Sequence, residues 1–197
     1  MKTCTSFILI LVVLLCSQLR LSGQSGDYRN FPIIFSLQFH ALSLPLKDLK
    51  SNFSHVGVGL GTEISFNGKH NWAQQFQAVW YPNKEIGQGW LFSTQSAWRP
   101  YLVRPVYGEI KLGAGYLWSS RPVDSFRQVE GRWQSVGHRG KGMFTIPLGI
   151  TIGYHDYSPK TFVAPYASYQ LLLVTKYNTS VPLVPQTLLQ LGSKIHL

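Results

Sequence analysis

The chain has 197 residues, of which 45% are hydrophobic and 14% aromatic, and its formal net charge is +10 at pH 7. This length suits one domain, and no stretch is long and apolar enough for a transmembrane helix. The basic residues are scattered and the chain opens with an export signal, so nucleic-acid binding is not expected. Anionic lipid or lipopolysaccharide phosphate is the more natural partner for the positive charge.

Residues 1–23 have the three parts of a secretory signal peptide. Lys2 supplies the positive start, a short apolar core follows, and cleavage is expected after the small residue Gly23. Removal of this segment lowers the net charge to about +8, because Lys2 and Arg20 leave with it.

Both cysteines of the chain, Cys4 and Cys16, lie in the segment that is predicted to be removed. We therefore expect no disulfide, cysteine ligand or cysteine nucleophile in the mature protein. The six histidines are spread singly along the chain. This spacing gives no metal-ligand pattern, and no cofactor is expected.

The remaining sequence divides into about eight runs in which apolar and polar residues alternate, a pattern typical of half-buried β-strands. In the clearest run Val58 and Leu60 alternate with Gly57 and Gly59. Around Gln170 both faces are apolar, so the orientation of that strand stays open. The runs cover residues 35–46, 54–66, 72–81, 89–99, 105–119, 143–155, 162–175 and 187–197.

These runs predict an all-β fold, a closed antiparallel up-and-down transmembrane β-barrel of about eight strands. Apolar side chains would face lipid, and the thin polar and glycine-rich face would line a narrow interior. Tryptophans and tyrosines gather near strand ends, which favours aromatic girdles. Short connections at 67–71, 100–104 and 156–161 alternate with longer ones at 47–53, 82–88, 120–142 and 176–186, as periplasmic turns alternate with external loops.

The expected domain organisation is a signal peptide at 1–23, a short periplasmic segment at 24–34 and the barrel at 35–197. A soluble secreted barrel would show the same alternation with its two faces exchanged. The thin charged face, the aromatic residues near strand ends and a last strand that runs to Leu197 favour the membrane version.

With these strands the chain resembles the small outer-membrane β-barrel proteins of Gram-negative bacteria, the OmpA/OmpX-like "outer membrane protein β-barrel domain" group. The junction Ser22-Gly23-Gln24 is similar to those of Bacteroidetes-type exported proteins, in which Gln often begins the mature chain. The resemblance implies an outer-membrane location and insertion by the barrel assembly machinery, which recognises the terminal strand. That strand usually ends in an aromatic residue in the family, whereas this one ends in Leu197.

An eight-stranded barrel has an interior just wide enough for side chains to fill. Buried charges are stable only when they are paired. We therefore expect Glu63 and Glu109 to meet basic side chains in a polar plug. The inward-facing ionisable residues assigned to this network are Glu63, Arg99, Glu109, Lys111, His155 and Lys194.

The longest external loop, 120–142, is the candidate for contact with a surface partner. Arginine can bind phosphate through two parallel hydrogen bonds, and an aromatic ring can lie against acyl or sugar surface. Lipopolysaccharide would suit this loop, although a loop that merely sits among lipid phosphates would need the same residues. The candidate residues are Arg121, Arg127, Arg132, Trp133, Arg139 and Lys141.

These features predict a non-enzymatic outer-membrane protein with a structural or surface-interaction role, either a monomer or an accessory subunit of an envelope complex. No catalytic residues are assigned. Lipid A deacylases place His and Ser two residues apart on one strand face, and neither Ser54-His55 nor His155 with Ser158 has that spacing. A lipid-A-modifying enzyme, a narrow pore and a soluble barrel with a small ligand remain as alternatives.

Overall fold

The computed structural model describes residues 31–41, 56–66, 70–82, 87–103, 105–120, 126–129, 131–135, 137, 140–155, 163–175 and 183–196. The regular elements in these ranges are all β-strands. The described residues contain no helix long and apolar enough to cross a membrane. The strands are β1 (Ile33–Ala41), β2 (Val56–Ser65), β3 (Trp72–Tyr81), β4 (Gln88–Trp98), β5 (Tyr101–Val103), β6 (Val106–Ser120), β7 (Phe126–Val129), β8 (Arg132–Ser135), β9 (Gly140–Tyr154), β10 (Val163–Thr175) and β11 (Leu183–Ile195).

Eight long strands close into a barrel. They follow the order β1, β2, β3, β4, β6, β9, β10, β11, each antiparallel to the next, and β1 pairs with β11 from Ile33 opposite Ile195 to Ala41 opposite Thr187. Because each of the eight has two partners, the barrel ladder has no free edge. This architecture confirms the predicted fold. The short β5 folds back on the start of β6, and β7 and β8 form a separate hairpin.

Side chains alternate between the two surfaces of the wall as the sequence predicted. On β2, Val58 and Leu60 are exposed to the outside, whereas Glu63 is buried inside. The orientation of β10, which the sequence left open, places Tyr166 and Gln170 inside and Val163 outside. The ladder decides this, because Gln170 is held opposite Gly149 of β9 and Leu188 of β11.

Two rows of tryptophan ring one side of the outer surface. Trp90 lies between Trp80 and Trp118 in one row, and Trp72 lies opposite Trp98 in the other. Trp90 and Trp98 are eight residues apart on β4, or about 26 Å along the strand. With strands tilted by 35–45°, the rows are roughly 20 Å apart along the membrane normal, close to the apolar band of a membrane barrel.

The connections between successive barrel strands lie alternately at the two ends of the barrel. Connections 42–55, 82–87, 121–139 and 176–182 lie at one end, and 66–71, 99–105 and 155–162 lie at the other. The two longest, 42–55 and 121–139, are both at the first end, which membrane barrels turn to the cell exterior. We call this the outer end and its opposite the periplasmic end.

The predicted strict alternation of short and long connections is wrong. Connections 82–87 and 176–182 at the outer end are no longer than 155–162 at the periplasmic end. The reason is that β11 begins at Leu183, four residues before the alternating pattern becomes clean at Thr187. The ladder with β10 continues through Pro185, since Leu183 pairs with Thr175.

An apolar cluster lies in the interior near the outer end, where its Tyr81 ring stacks on the buried His40, a hydrogen-bond partner of Gln186. The sequence predicted a polar interior throughout, so this cluster is a correction. In Trp90-Leu91-Phe92 and Tyr116-Leu117-Trp118 both faces are apolar, and the middle leucine points inward. The cluster consists of Val79, Tyr81, Leu91, Leu117, Met143, Leu172, Val174 and Leu188.

Candidate functional site

Four charged side chains meet inside the barrel near its periplasmic end. Glu63 lies near the end of β2, Glu109 near the start of β6 and Lys194 near the end of β11, while Arg99 directly follows β4. Barrel closure brings together Glu63 and Lys194, which are 131 residues apart in the chain. We call Glu63, Arg99, Glu109 and Lys194 the charged plug.

Each carboxylate of the charged plug accepts hydrogen bonds from both cations. Arg99 donates through Nη2 to Glu63 Oε2 at 2.8 Å and through Nε to Glu109 Oε1 at 2.6 Å. Lys194 Nζ donates to Glu63 Oε2 at 2.9 Å and to Glu109 Oε1 at 2.7 Å. All four side chains are almost fully buried. Two negative charges therefore face two positive ones, which is the arrangement that makes buried charge tolerable.

Neutral side chains complete the surroundings of the charged plug. Gln75 Nε2 donates to Glu63 Oε2 at 3.0 Å and to Glu109 Oε2 at 3.3 Å. The Tyr107 ring centroid lies 5.1 Å from Arg99 Cζ and 5.4 Å from Lys194 Nζ, within cation–π range. Gly153 makes room for this ring, since a Cβ there would overlap it. The sequence assigned Gln75 and Tyr107 no role, and its only signal was their inward position in the alternation.

Lys111 and His155, the other two residues predicted for the network, are also buried inside the barrel. Lys111 is buried, but its Nζ is 3.9 Å from Glu109 Oε2, beyond hydrogen-bond distance. His155, just after β9, is buried against His196 with 4.6 Å between ring centroids. In the turn before β3, burial and the nearby Arg99 guanidinium hold the pKa of His70 below its usual 6.5. This direction favours the uncharged form of the His70 ring.

Lys111 offers a direct test of how the charge is shared. The variant Lys111→Met lacks one buried cation, and the charged plug keeps its two carboxylates and its two cations. We expect the free energy of unfolding to change by less than about 1 kcal/mol, or to rise, because an apolar replacement relieves the cost of burying the ammonium. The measurement is urea unfolding of the barrel in detergent micelles. A loss of several kcal/mol would mean that Lys111 holds Glu109 as firmly as Arg99 does.

A chain of amides crosses the interior above the charged plug. Gln95 Nε2 donates to Gln170 Oε1 at 3.4 Å, Gln170 Nε2 to Gln190 Oε1 at 3.1 Å, and Gln190 Nε2 to Gln77 Oε1 at 3.5 Å. These residues come from β4, β10, β11 and β3, so the chain links opposite walls. The side chains of the interior thus form three layers, which are charged, amide and apolar from the periplasmic end outward.

The longest outer connection carries a small hairpin. In it β7 pairs with β8, with Arg127 opposite Gln134, and Gly131 turns the chain at φ +76°. Trp133 is 70% exposed, and Arg132 is exposed beside it. Lys141, at the start of β9, is also exposed.

The structure leaves part of the predicted surface site undescribed. Arg121 and Arg139 lie outside the described residues, and of Arg127 only the backbone position opposite Gln134 is described.

The residues considered for catalysis are only partly described. Ser54, His55 and residues 156–158 lie outside the described ranges, and the His155 side chain is buried. Within the described ranges, no three His, Cys, Asp or Glu side chains converge in a way that could hold a metal ion.

Comparison with known proteins finds the same architecture. The chain is similar to Neisserial surface protein A (NspA), with a TM-score of 0.60 and 13% identity over 85% of this chain and 97% of that one. It also matches Ail, the attachment invasion locus protein of Yersinia pestis, with a TM-score of 0.49 and 14% identity over 84% of this chain and 96% of that one. No protein-family model and no curated protein sequence matches it. At these identities the likeness concerns the fold.

The surface of the barrel defines its class. Its strands expose Leu60, Phe92, Ile110 and Ile150 on the outside, while the charged side chains of Glu63, Glu109, Lys111 and Lys194 are buried inside. A soluble barrel would have the opposite arrangement, since water would meet the polar face. A closed barrel with an apolar outside and a polar inside is the outer-membrane type. The chain is an outer-membrane β-barrel.

Proposed function

We propose that this protein is a non-enzymatic, non-conducting barrel that anchors a basic outer hairpin at the cell surface. The observation that carries the proposal is the filled interior, in which charged, amide and apolar layers occupy successive depths. A scaffold without an open channel leaves its outer connections as the part that can meet a partner outside the membrane. Such a protein serves as an envelope component, either alone or as an accessory subunit of a larger assembly.

Conductance across planar lipid bilayers tests the filled interior. We expect purified barrel at neutral pH to give no discrete current steps above the lipid background, because ions would have to displace the Glu63–Arg99–Glu109–Lys194 network. The control is an open bacterial porin inserted by the same procedure. Regular steps from this protein would show a conducting path and would replace the anchoring role with that of a narrow pore.

Lipopolysaccharide is the partner whose chemistry best matches the exposed residues at the outer hairpin. Arg132 and Lys141 are exposed cations of this outer region, and Trp133, next to Arg132 in the hairpin, offers an exposed apolar ring. Phosphates on a sugar backbone with acyl chains would meet both kinds of group. The basic residues Arg121, Arg127 and Arg139 belong to the same connection and extend the proposed contact.

The hairpin predicts a charge-dependent loss of binding. The double variant Arg132→Ala/Lys141→Ala removes two cations. Since each basic group near an anionic surface contributes about 1 kcal/mol, the dissociation constant for lipopolysaccharide should rise about 30-fold. The measurement is binding of detergent-solubilised barrel to immobilised lipopolysaccharide at low salt. The matched control is Gln134→Ala on the same hairpin, which should bind like the unchanged protein. Equal binding by all three proteins would contradict a hairpin contact.

A lipid-A-modifying enzyme is the alternative from a different class. It would need a nucleophile or base that reaches the outer end, whereas His155 is buried at the periplasmic end. Mass spectrometry of lipid A from cells that express the protein separates the two proposals. An unchanged mass agrees with the anchoring role, and the loss or gain of an acyl chain would contradict it.

A further inference from the structure

The outer wall at β3 and β4 carries hydrogen-bonded polar side chains on its lipid-facing side. Gln74 Nε2 donates to Thr94 Oγ1 at 2.6 Å, and Ser96 Oγ donates to Gln74 Oε1 at 2.7 Å. We call these three residues the polar trio. They lie between the two tryptophan rows, where the surrounding medium is hydrocarbon and offers no hydrogen bonds.

The amide of Gln74 retains unused hydrogen-bonding capacity. A glutamine amide has two N–H donors and a carbonyl oxygen with two lone pairs, and the polar trio uses one of each. Among the described residues no further partner meets the second N–H or the second lone pair. In hydrocarbon an unmet polar group is unfavourable, so both groups favour a partner from outside this barrel.

A shallow groove of about 630 Å³ lies beside the polar trio on the same wall. The ridges that border it are Leu60, Phe76 and Phe92. Small side chains let two proteins approach closely in a membrane, and polar side chains beside them hold the contact. The side chains on the floor of the groove are Thr62, Ala78, Thr94 and Ala114.

We propose that this wall is an interface at which two copies of the chain pair in the membrane, about a twofold axis near Gln74. One spare donor and one spare acceptor on the same amide are self-complementary. In the pair, each Gln74 Nε2 donates to Oε1 of the other copy, and both unmet groups are satisfied. Twofold pairs are also the commonest protein oligomers.

A lipid acyl chain matches this wall less well than a second copy does. A chain could fill the groove, and an ester carbonyl could accept the spare N–H of Gln74. An ester has no donor, however, so the spare lone pair of Gln74 Oε1 would remain unmet. The pair therefore accounts for both unmet groups of the amide, and the lipid accounts for one.

Cross-linking in outer membranes tests which wall forms the interface. In a Cys4→Ser/Cys16→Ser background, Ala78→Cys on β3 places a thiol in the groove, and the control Ala167→Cys on β10 places one on the opposite wall. With a short bis-maleimide we expect a band of doubled mass for Ala78→Cys and a single band for Ala167→Cys. Equal cross-linking at both positions, or none at either, would overturn the proposal.

Sedimentation equilibrium in detergent tests the role of the amide. Gln74→Leu removes two hydrogen bonds from the pair, and at strengths typical of membrane hydrogen bonds the dissociation constant should rise roughly tenfold. Ala78→Phe, which fills the groove, should also weaken pairing, whereas the matched Ala167→Phe should not. If Ala78→Phe lowers the amount of co-purified phospholipid and leaves the sedimenting mass unchanged, the groove is a lipid seat and the proposed pair is wrong.

Discussion

Replacing Arg99 with methionine should lower the free energy of unfolding by about 3–5 kcal/mol, because the loss of one partner leaves buried charge without compensation. Arg99 donates to both Glu63 and Glu109, and those carboxylates would then share Lys194 as their hydrogen-bonded cation. Urea unfolding in detergent micelles, followed by tryptophan fluorescence, measures the loss. The exposed Arg132→Met is the matched control and should change the value by less than about 0.5 kcal/mol.

A second variant separates lost pairing from lost packing at Arg99. If the damage arises from unpaired charge, adding Glu109→Gln to Arg99→Met should recover part of the stability. In the double variant one carboxylate of the charged plug, that of Glu63, faces one cation, that of Lys194. A double variant that is destabilised by the sum of the two single effects would contradict this explanation. So would an Arg99→Met barrel that unfolds at the same urea concentration as the unchanged protein.

Gly113→Ala should cost about 3 kcal/mol or more, because an added methyl group has no room to enter the wall. A Cβ at Gly113 of β6 would overlap the carbonyl oxygen of Thr94 and would come within 2.7 Å of Gln95 Cα on β4. Backbone atoms cannot move aside as a flexible side chain can. The two strands would therefore have to separate at a point where the barrel must close.

The effect of Gly113→Ala is measured by comparing unheated and heated samples on an SDS gel. A closed barrel resists SDS until it is heated, since its ladder offers no free edge. We expect the unheated variant to lose most of its fast, compact band. Gly108→Ala on the same strand is the control, because the nearest atom to a Cβ there would be a Leu102 side-chain carbon at 3.6 Å, an ordinary van der Waals contact. Equal behaviour of the two variants would contradict the steric argument.

The charged plug illustrates how far alternation predicts a site. Period-two spacing places Glu63, Glu109 and Lys194 on the inward face, and the cost of buried charge requires that they pair. Alternation carries no information on depth, however. Depth and register decide that Arg99 and Lys194 bridge both carboxylates at 2.6–2.9 Å while Lys111 stays at 3.9 Å.

The same limit explains what the sequence did not predict. Leu91 and Leu117 sit between apolar neighbours, so their inward orientation cannot be read from an alternating pattern, and the apolar layer emerges only when eight strands surround it. Gln74, Thr94 and Ser96 belong to two strands, and their hydrogen bonds exist because β3 and β4 pair in one particular register.

By itself the sequence determined the eight long strands, the two faces of all of them but β10, and hence a barrel that meets lipid, because hydrophobic alternation is a local property of extended chain. Only the tertiary structure decided the three interior layers, the sharing of charge among Glu63, Arg99, Glu109 and Lys194, and the polar trio on the outer wall. Those features depend on which residues of distant strands stand side by side, and this is set by register and closure of the whole ladder.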